Sequence, residues 1–354
     1  MKNKSIRILF DLGHPAHVHL FRNVIRKLQS NGHSVIITIR DKDITAKLLD
    51  IYGFTYTKVS KARKSNLGLF YELMQHNLGV LNIANRHKSQ LLIGTSVSVA
   101  HVAKLIGAKS LVFSEDDASV AKTFSRLTYP FADAIITPDC IEEDYGTKHF
   151  KYAGYQKLAY LHPKYFYPDP SIKCKLGLNH HQFYFIIRLV SLTASHDRGE
   201  KGINFDALIR IIEKLSENGR VFITSENTLP KELEIYGYKL DPTDIHDALY
   251  YSNFFIGDSQ SMAVEAAILG VPSIRINSFA KRISVLQELE HKYELCSSFF
   301  PSQEEDYLDL IDKWIKTNDL HEKWKLKKEK MLAEKIDVAA WIIEFIENYK
   351  DKII

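Results

Sequence analysis

The sequence predicts an α/β protein in which each of two domains contains a parallel β-sheet with helices on both faces. Short apolar segments that suit buried strands alternate with helical segments along most of the chain, which is the pattern of repeated βαβ units. The 354 residues exceed what one hydrophobic core usually organises. The proline-bearing stretch Pro168 to Pro170 separates two such alternations and is the natural domain boundary.

The first domain is predicted over residues 1–165. Its first helix is expected to begin between Ala16 and His19 and to end before Gly32, whose position after Asn31 fits a left-handed C-terminal cap. Helices are expected in the other intervals between strands. The predicted strands lie near Ile6 to Phe10, Val35 to Ile39, Leu91 to Ile93, Ser110 to Phe113 and Ala134 to Ile136.

The second domain is predicted over residues 166–335, and residues 336–354 are predicted to form a helix that packs back on the domain junction. Helices are expected around Phe205 to Glu217 and around Asp244 to Tyr251. Ligands of open parallel sheets bind beside the carboxyl ends of the strands, so polar residues directly after a strand are site candidates. The predicted strands are Phe183 to Leu189, Val221 to Thr224, Phe254 to Ile256 and Ser273 to Ile276.

Composition and charge narrow the class of protein. With 45% hydrophobic and 25% charged residues the chain resembles ordinary soluble proteins. A net charge of +4, with acids and bases interspersed, gives no support for a nucleic-acid partner. Cys140, Cys174 and Cys296 show no metal or disulfide spacing and suit a reducing compartment. The first apolar run, Ile6 to Phe10, is too short for a signal peptide, so we expect a cytoplasmic location.

One segment raises the question of a membrane. Lys58 to Lys64 carries four basic residues, and Leu67 to Ile83 is amphipathic and rich in Leu, Phe and Tyr. Such a helix can lie on an anionic leaflet or can pack on its own sheet. Packing on the sheet is the simpler interpretation, and peripheral contact with the inner membrane face is the alternative.

The most informative segment is Gly257 to Ala266, in which a strand leads through a polar turn into a short helix. Gly270 and Pro272 close this helix. Its first turn presents unpaired N–H groups and the positive end of the helix dipole, so Ser259 to Met262 form a predicted seat for a diphosphate. Glu265, farther along the helix, is placed to hydrogen-bond a ribose.

Three histidines follow the first strand within six positions, in the segment Asp11 to His19. His14, His17 and His19 can in principle bind a metal, act as acid or base, or contact a phosphate, and the structural alternative is that one or two of them cap the helix. No carboxylate spacing completes a tetrahedral set, so we expect no metal. His14 and His17 are therefore candidate catalytic residues.

The acidic run from Glu115 to Asp117 directly follows another strand of the first domain. Adjacent carboxylates at a strand end can raise each other's pKa, which makes Glu115 and Asp116 candidate general bases. A solvated loop or a helix start is the alternative interpretation. The segment Gly94 to Ser98, after a further strand, adds hydroxyl and N–H groups to the same edge.

The second domain offers groups for an anionic ligand. Arg188 ends a strand and can hold a phosphate with two parallel hydrogen bonds, and the charged loop after it contains His196. Ser225 and Glu226 follow the next strand. His246 lies early in a helix that Asp244 is expected to cap, so a structural role is its alternative.

As a set, these segments resemble a bacterial domain family of unknown function that is similar to non-hydrolysing UDP-N-acetylglucosamine 2-epimerases and to GT-B glycosyltransferases. The resemblance implies two Rossmann-like domains facing a cleft, with the acceptor in the first domain and the donor nucleotide mainly in the second. The segments that carry it are Asp11 to His19, Asn31 to Val35, Arg188 with the His196 loop, Thr224 to Glu226 and Gly257 to Glu265.

The chain departs from the epimerase pattern at positions that matter for chemistry. Gln260 and Ser261 replace the two glycines of the epimerase Asp-Ser-Gly-Gly segment, Val264 stands at the first of two glutamates, and Thr95 replaces an acid. Epimerisation with elimination of UDP needs several acids and bases. Glycosyl transfer needs cations and dipoles for the diphosphate, and in an inverting transfer one base.

The sequence therefore favours a metal-independent glycosyltransferase, without cofactor, that uses a UDP-linked sugar in surface polysaccharide or glycolipid synthesis. Its expected partners are the nucleotide sugar and a carbohydrate or lipid-linked acceptor. A sugar-nucleotide epimerase or hydrolase, and a non-catalytic nucleotide-sugar-binding protein, are the alternatives. The predicted catalytic residues are His14, His17, Glu115 and Asp116, and the predicted donor-binding residues are Arg188, His196, Ser225, Glu226, His246, Ser259, Gln260, Ser261, Met262 and Glu265.

Overall fold

The computed structural model describes residues 5–41, 44–61, 66–179, 181–190, 202–238 and 240–352; the side chains of residues 66, 67, 69 and 70 are not described. The chain forms two compact units. The first consists of Met1–Tyr165 with Ile336–Ile354, and the second is Phe166–Lys335.

The first unit contains a seven-stranded sheet with strand order β3-β2-β1-β4-β5-β6-β7, and every pairing between its described strands is parallel. Helices connect the strands, as the alternating pattern predicts. The strands are β1 (Arg7–Leu12), β2 (Ser34–Asp41), β3 (Thr57–Lys61), β4 (Leu91–Gly94), β5 (Lys109–Phe113), β6 (Ala134–Pro138) and β7 (His149–Tyr152). The helices are α1 (Pro15–Ser30), α2 (Thr45–Ile51), α3 (Asn66–His87), α4 (Val97–Ile106), α5 (Lys122–Thr128) and α6 (Leu158–Leu161).

The second unit contains a five-stranded parallel sheet with strand order β12-β11-β10-β8-β9. Its strands are β8 (Tyr184–Leu189), β9 (Arg220–Ser225), β10 (Phe255–Gly257), β11 (Ser273–Ile276) and β12 (Cys296–Phe299). Its helices are α7 (Ile172–Lys175), α8 (Phe205–Ser216), α9 (Ile245–Tyr251), α10 (Gln260–Leu269), α11 (Ser284–His291), α12 (Glu304–Ile315) and α13 (Leu320–Glu334). The expectation of parallel-sheet α/β architecture in both halves of the chain is confirmed.

Local signals in the sequence set several helix ends. Gly32, which follows the C-cap residue Asn31 of α1, has φ +87°, and Gly270, directly after α10, has φ +77°, so both take the left-handed conformation predicted for them. The expected cap of α9 is wrong: within the described structure the Asp244 carboxylate bonds no N–H of that helix, and it accepts a hydrogen bond from Lys175 Nζ at 2.8 Å. A lysine within reach competes with the cap for this carboxylate.

The last residues of the chain belong to the first unit. Helix α14 (Val338–Glu347) packs against α1 and α6 and is followed by the short helix α15 (Tyr349–Lys352). The Phe345 ring lies 5.0 Å from that of Phe150 on β7, and Glu347 accepts a hydrogen bond from Asn31 at 2.7 Å. Across the described ranges, every helix is too short or too polar to cross a membrane.

Candidate active site

Polar side chains gather at the carboxyl edge of the first unit's sheet. Strands β1 and β4 are parallel neighbours, and Asp11 pairs with Gly94 in their register. The segment after β1 carries His14 and His17, and the turn after β4 carries Thr95. Because both strands end at the same edge, these two segments lie side by side, as expected for a ligand site of a parallel sheet.

His14 is the N-terminal cap of α1. Its Nδ1 accepts a hydrogen bond from the backbone N–H of Ala16 at 3.2 Å, and Pro15 takes the first helical position. The imidazole rings of His14 and His17 lie 5.8 Å apart. His14 therefore caps the helix, which is the structural alternative that the sequence left open.

His17 lies in the first turn of α1 and contacts the turn after β4. The hydroxyl oxygen of Thr95 lies 2.7 Å from Nε2 and 2.8 Å from Nδ1 of this half-buried ring. A hydroxyl bonds one imidazole nitrogen at a time, as donor or as acceptor, so Thr95 is a hydrogen-bond partner that restricts the orientation of the ring. Thr95, one of the positions at which the sequence departs from the epimerase pattern, is thus in contact with the candidate base His17.

Asp11, at the end of β1, is fully buried and forms a network that the sequence analysis did not predict. Its two carboxylate oxygens lie 2.9 and 3.0 Å from Nε2 of His76 on α3. The Thr38 hydroxyl donates to Oδ1 at 2.8 Å, and the Ser96 hydroxyl donates to Oδ2 at 2.5 Å. On the other side of the imidazole, the Ser60 hydroxyl oxygen lies 2.6 Å from Nδ1. One carboxylate therefore connects β1, β2, α3 and the turn before α4.

The environment of Asp11 and His76 favours the charged form of both groups. Burial acts to raise the pKa of Asp11, but the charge of His76 and hydrogen bonds from His76, Ser96 and Thr38 outweigh it and lower that pKa. Burial acts to lower the pKa of His76, but the charge and hydrogen bond of Asp11 outweigh it and raise that pKa. The two residues form a buried ion pair.

Glu115 and Asp116 follow β5 and have different surroundings. Glu115 is buried, its Oε1 accepts from the backbone N–H of Gln156 at 2.8 Å, and its Oε2 pairs with Nζ of the buried Lys157. Asp116 is half-buried. Both oxygens of Glu115 bind donors in the turn after β7, so this carboxylate ties two strand ends together and is less accessible to a substrate hydroxyl than the His17 ring.

In the second unit, Arg188 and Glu226 are brought together from neighbouring strands. Arg188 Nη2 donates to Glu226 Oε1 at 3.1 Å, and the two side chains are 23% and 45% exposed. Water screens such a pair, so it contributes little to stability, and a phosphate can take the place of the carboxylate on the guanidinium. Ser225 is half-buried at the end of β9. The predicted His196 contact falls in residues 191–201, which lie outside the described part of the chain.

Asp258, directly after β10, is buried next to the start of α10. Its Oδ1 accepts from the backbone N–H of Val190 at 2.8 Å, and its carbonyl oxygen accepts from Asn277 Nδ2 at 3.2 Å. A Cβ at Gly202 would collide with Asp258 Oδ2, so a larger residue there would displace this carboxylate. Burial raises the pKa of Asp258 to about 6, against the lowering effect of the Val190 N–H bond.

Helix α10 begins as the sequence predicts. Ser259 is its N-terminal cap, and the hydroxyl oxygen accepts from the backbone N–H of Met262 at 3.4 Å. Gln260 and Ser261 are half-buried in the first turn, whereas Met262 is buried. The positive end of the helix dipole therefore lies at the carboxyl edge of the sheet, where it favours an anion.

Glu265 lies on the same helix, whose side chains from Met262 to Leu269 are all buried. Nε2 of His246 on α9 is 3.2 Å from Glu265 Oε1, and the two side chains are 4% and 9% exposed. The Phe166 ring packs edge-on against His246. The structure thus brings two predicted donor residues together, and His246 orients the Glu265 carboxylate.

Residues 6–297 match the model of a family described as a protein of unknown function, DUF354. The chain belongs to this family. The match includes both candidate clusters of the DUF354 protein, those around His17 and around Glu265. A relative from Methanocaldococcus jannaschii, an uncharacterized protein, is 28% identical over 284 residues, which are 76% of this chain and 81% of the relative. Because this relative is archaeal, the matches do not restrict the family to bacteria.

Solved structures resemble the DUF354 chain over almost its full length. A UDP-N-acetylglucosamine 2-epimerase superposes with a TM-score of 0.69 at 13% identity, covering 98% of this chain and 96% of the epimerase. The spinosyn forosaminyltransferase SpnP superposes with a TM-score of 0.63 at 13% identity, covering 98% of this chain and 99% of that enzyme. At this identity the likeness concerns the fold alone, which is that of GT-B proteins with two Rossmann-like domains.

Proposed function

We propose that the protein is a GT-B glycosyltransferase that transfers a sugar from a nucleotide-sugar donor, with UDP as the nucleotide, to a carbohydrate or lipid-linked acceptor. Surface polysaccharide or glycolipid synthesis is the proposed setting. The observation that carries the proposal is helix α10, which combines a capped N-terminus at the carboxyl edge of the sheet with the buried Glu265 beside His246. A nucleoside diphosphate has an anionic group and a ribose that suit these two features.

The donor is proposed to bind along α10. Its diphosphate accepts hydrogen bonds from Ser259, Gln260 and Ser261 in the first turn, where the helix dipole stabilises negative charge. The N–H of Met262, which closes the predicted seat, donates to the Ser259 hydroxyl and becomes available to the phosphate when that hydroxyl turns away. Arg188 adds a guanidinium once Glu226 gives way to the phosphate. Glu265 is six residues beyond Ser259, about 9 Å along the helix axis, and accepts from the ribose hydroxyls.

The leaving group is proposed to depart without a metal ion. As the bond between sugar and diphosphate breaks, negative charge accumulates on the diphosphate, and the dipole of α10 with Arg188 stabilises it. Ser225 and Glu226 complete the proposed donor set, together with His196, which lies outside the described ranges.

His17 is the proposed base that accepts the proton of the acceptor hydroxyl. Its ring is half-buried and is oriented by the Thr95 hydroxyl at 2.7 Å, and an imidazole titrates near neutral pH. Glu115 has both oxygens bound to donors of its own chain, and His14 caps α1 through Nδ1. These contacts favour His17 over Glu115 and His14 as the base.

The fold likeness to a UDP-N-acetylglucosamine 2-epimerase supports a second candidate, a sugar-nucleotide epimerase or hydrolase. Thr95 is evidence against an epimerase, because a threonine hydroxyl cannot replace a carboxylate in removing a carbon-bound proton. The two functions differ in what they consume. An epimerase or hydrolase converts the nucleotide sugar without an acceptor, whereas a transferase needs both substrates, and a non-catalytic binding protein converts neither.

A lipid-linked acceptor would place the protein at the inner face of a membrane. Helix α3 carries three exposed apolar side chains, Tyr71, Met74 and Leu78, on one side. Lys58 and Lys61 are exposed on the neighbouring strand β3. Apolar side chains beside cations suit an anionic leaflet. We therefore propose a cytoplasmic protein that binds this leaflet peripherally.

Calorimetric titration with UDP, with GDP as the comparator and with and without Mg²⁺, tests the donor site. We expect UDP to bind without Mg²⁺. Glu265→Ala should weaken binding by roughly 1 to 3 kcal/mol, or about 5- to 150-fold, because it removes a charged hydrogen bond to the ribose. Glu305→Ala is the control, since Glu305 is an exposed carboxylate of the same unit paired with Arg210.

Two outcomes contradict the proposal. Absence of binding to either nucleotide removes the donor site altogether. UDP affinity that is the same in Glu265→Ala as in the unmodified protein refutes the assignment of the ribose contact. Incubation with a nucleotide sugar alone then separates the candidates, because release of UDP or formation of an isomer without acceptor points to the epimerase or hydrolase.

A further inference from the structure

The buried Asp11–His76 pair is linked to the candidate base through one turn of the chain. Asp11 accepts a hydrogen bond from Ser96, and the adjacent Thr95 contacts His17. We propose that Asp11 and His76 are positioning residues that hold the turn between β4 and α4, so that Thr95 orients the His17 imidazole for proton transfer. This inference rests on the proposed function, because it concerns the group that would act as base.

The first observation is the diverted hydroxyl of Ser96. Ser96 is the N-cap residue of α4, yet within the described structure its side chain bonds no N–H of that helix, and it donates to Asp11 Oδ2 instead. A serine at this position normally caps the helix and stabilises it. The Ser96 side chain therefore bonds Asp11 at the end of β1, and among the described residues the N-terminus of α4 lacks the hydrogen bond that a serine cap would provide.

The second observation is the close contact of the backbones. A Cβ at Gly94 would lie 2.6 Å from the carbonyl oxygen of Asp11 and 3.0 Å from Cγ2 of Val99. Any larger residue would push the turn away from β1, because the carbonyl oxygen cannot move without disturbing the sheet. Backbone contact at Gly94 and side-chain contact at Ser96 thus fix the turn on both sides of Thr95.

The third observation is the charge balance around His76. Burial of an unpaired carboxylate would favour its neutral form, and a neutral Asp11 would accept less strongly from Ser96. Among the described residues, the ionised groups that act on His76 are Asp11, Glu72 and Arg40. Arg40 and Glu72 are paired with each other at 3.0 Å, so His76 is the cation that keeps Asp11 ionised.

Ser60, His76 and Asp11 have the composition of a hydrolytic triad, but they cannot act as one. Ser60 is 4% exposed and lies at the end of the network remote from the turn. A nucleophile must reach a substrate carbonyl, which this buried hydroxyl does not. Its contact with Nδ1 instead orients the His76 ring so that Nε2 meets both oxygens of Asp11.

The test compares Ser96→Ala and Asp11→Asn with the control Asp133→Asn. Asp133 also accepts a backbone N–H and a serine hydroxyl, those of Ser110, but at the amino edge of the same sheet. The measurement is a ¹H–¹³C NMR pH titration of the histidine rings in the full chain, with His17 and His76 assigned by His17→Gln and His76→Gln. If Asp11→Asn does not fold, Ser96→Ala still provides the test, because it removes only one half-buried hydroxyl and should keep the fold.

We expect Asp11→Asn to lower the pKa of His76, because its carboxylate is the cause of the upward shift. Both Asp11→Asn and Ser96→Ala should move the His17 resonances and their titration midpoint, and Asp133→Asn should leave them in place. If His17 titrates identically in Ser96→Ala, in Asp11→Asn and in the unmodified protein, the positioning role is wrong. This readout needs no substrate, so it decides the inference even if no nucleotide sugar binds.

Kinetics provide the second readout once a donor and acceptor are known. Ser96→Ala and Thr95→Val should lower kcat by roughly 10- to 100-fold, with donor affinity unchanged, because misplacing a base slows proton transfer alone. Thr95→Ser keeps the hydroxyl and should restore most of the rate. A merely structural role would lower the unfolding midpoint and leave kcat of the folded protein unaltered, which would overturn the inference.

Discussion

At the scale of single residues, the partner of each buried acid decides how that acid behaves. Asp11, near the end of β1, and Asp258, directly after β10, both lie at the carboxyl end of a central strand and are both buried. Asp11 lies beside His76, and its pKa is lowered, whereas Asp258 accepts from the Val190 N–H, and burial raises its pKa to about 6. A neutral donor compensates a buried charge less than a cation does.

This difference predicts a pH-dependent effect of Asp258→Asn. The pKa of Asp258 is raised in the folded protein from 3.8 to about 6, so its ionisation destabilises the fold as the pH rises between these values. Asparagine keeps an oxygen for the Val190 N–H and cannot ionise. We expect the variant to be more stable than the unmodified protein by roughly 1 to 3 kcal/mol at pH 7.5 and equally stable near pH 4.

Urea unfolding followed across this pH range measures the effect. The control is Asp309→Asn, which removes an exposed carboxylate from α12 of the same unit and should change little at any pH. A stability gain that persists at pH 4, or a loss at pH 7.5, would contradict the assignment of a raised pKa to Asp258.

At the scale of elements, helix α14 shows how residues at the end of the sequence are held in the first unit. Asp337 is the N-cap of α14, and its carboxylate accepts from the Ala340 N–H at 2.9 Å. The same carboxylate accepts from the Tyr165 hydroxyl at 2.7 Å and from Lys164 Nζ at 2.8 Å. One side chain thus starts the helix and joins it to the last residues before Phe166.

We therefore expect Asp337→Ala to lower the free energy of unfolding by about 1 to 3 kcal/mol at neutral pH, through loss of the cap and of the Tyr165 bond. Despite burial, the hydrogen bonds of Lys164, Ala340 and Tyr165 lower the pKa of Asp337, so the difference from the unmodified protein should shrink as the pH falls below the ordinary value of 3.8.

Thermal and urea unfolding test this, with Asp319→Ala as the matched control. Asp319 is the N-cap residue of α13, but within the described structure its side chain bonds no N–H of that helix and pairs with Lys323 on the surface. An equal loss of stability in both variants would show that the shared bonds of Asp337 do not matter.

At the scale of the whole molecule, the exposure of α3 bears on the two interpretations of the amphipathic segment, namely packing on its own sheet and contact with a membrane. One side of the helix is buried at His76, Val80 and Ala84, as packing on its own sheet requires. The opposite side leaves Tyr71 and Met74 about half exposed, with Leu78 at 62%. The helix therefore packs on its sheet and still presents an apolar surface that a second contact can cover.

Vesicle flotation tests whether that contact is a membrane. We expect the protein to float with vesicles that contain an anionic lipid and to remain in solution with neutral ones, because the basic residues of β3 add electrostatic attraction. Met74→Asp should abolish flotation, since it places a charge among the apolar side chains. The control Leu105→Asp changes a leucine of α4 that is more exposed than Met74, at 72%, and should float normally.

Flotation that is the same for both variants, or that does not depend on anionic lipid, would contradict the assignment of this surface. If the unmodified protein does not float, the acceptor of the proposed transferase is soluble and not lipid-linked. The proposed donor site is unaffected by this result, because it does not involve α3.

Local signals in the sequence predicted much of this structure. Apolar runs located the central strands, the glycines after α1 and α10 took the expected conformation, and Ser259 caps α10. The sequence did not predict three of the described strands, and each of these lies at the edge of its sheet: β3, β7 and β12. Edge strands are half solvated and carry polar residues, so they lack the apolar run that marks a buried strand.

The sequence by itself determined the alternation of strands and helices, and with it which residues reach the carboxyl edges. Only the tertiary structure decided which of them meet. His76 reaches Asp11 across 65 positions and Lys157 reaches Glu115 across 42, and no local pattern signals either pairing. The physical reason is that capping and periodicity act within one helical turn, whereas burial and the compensation of charge depend on how distant elements pack.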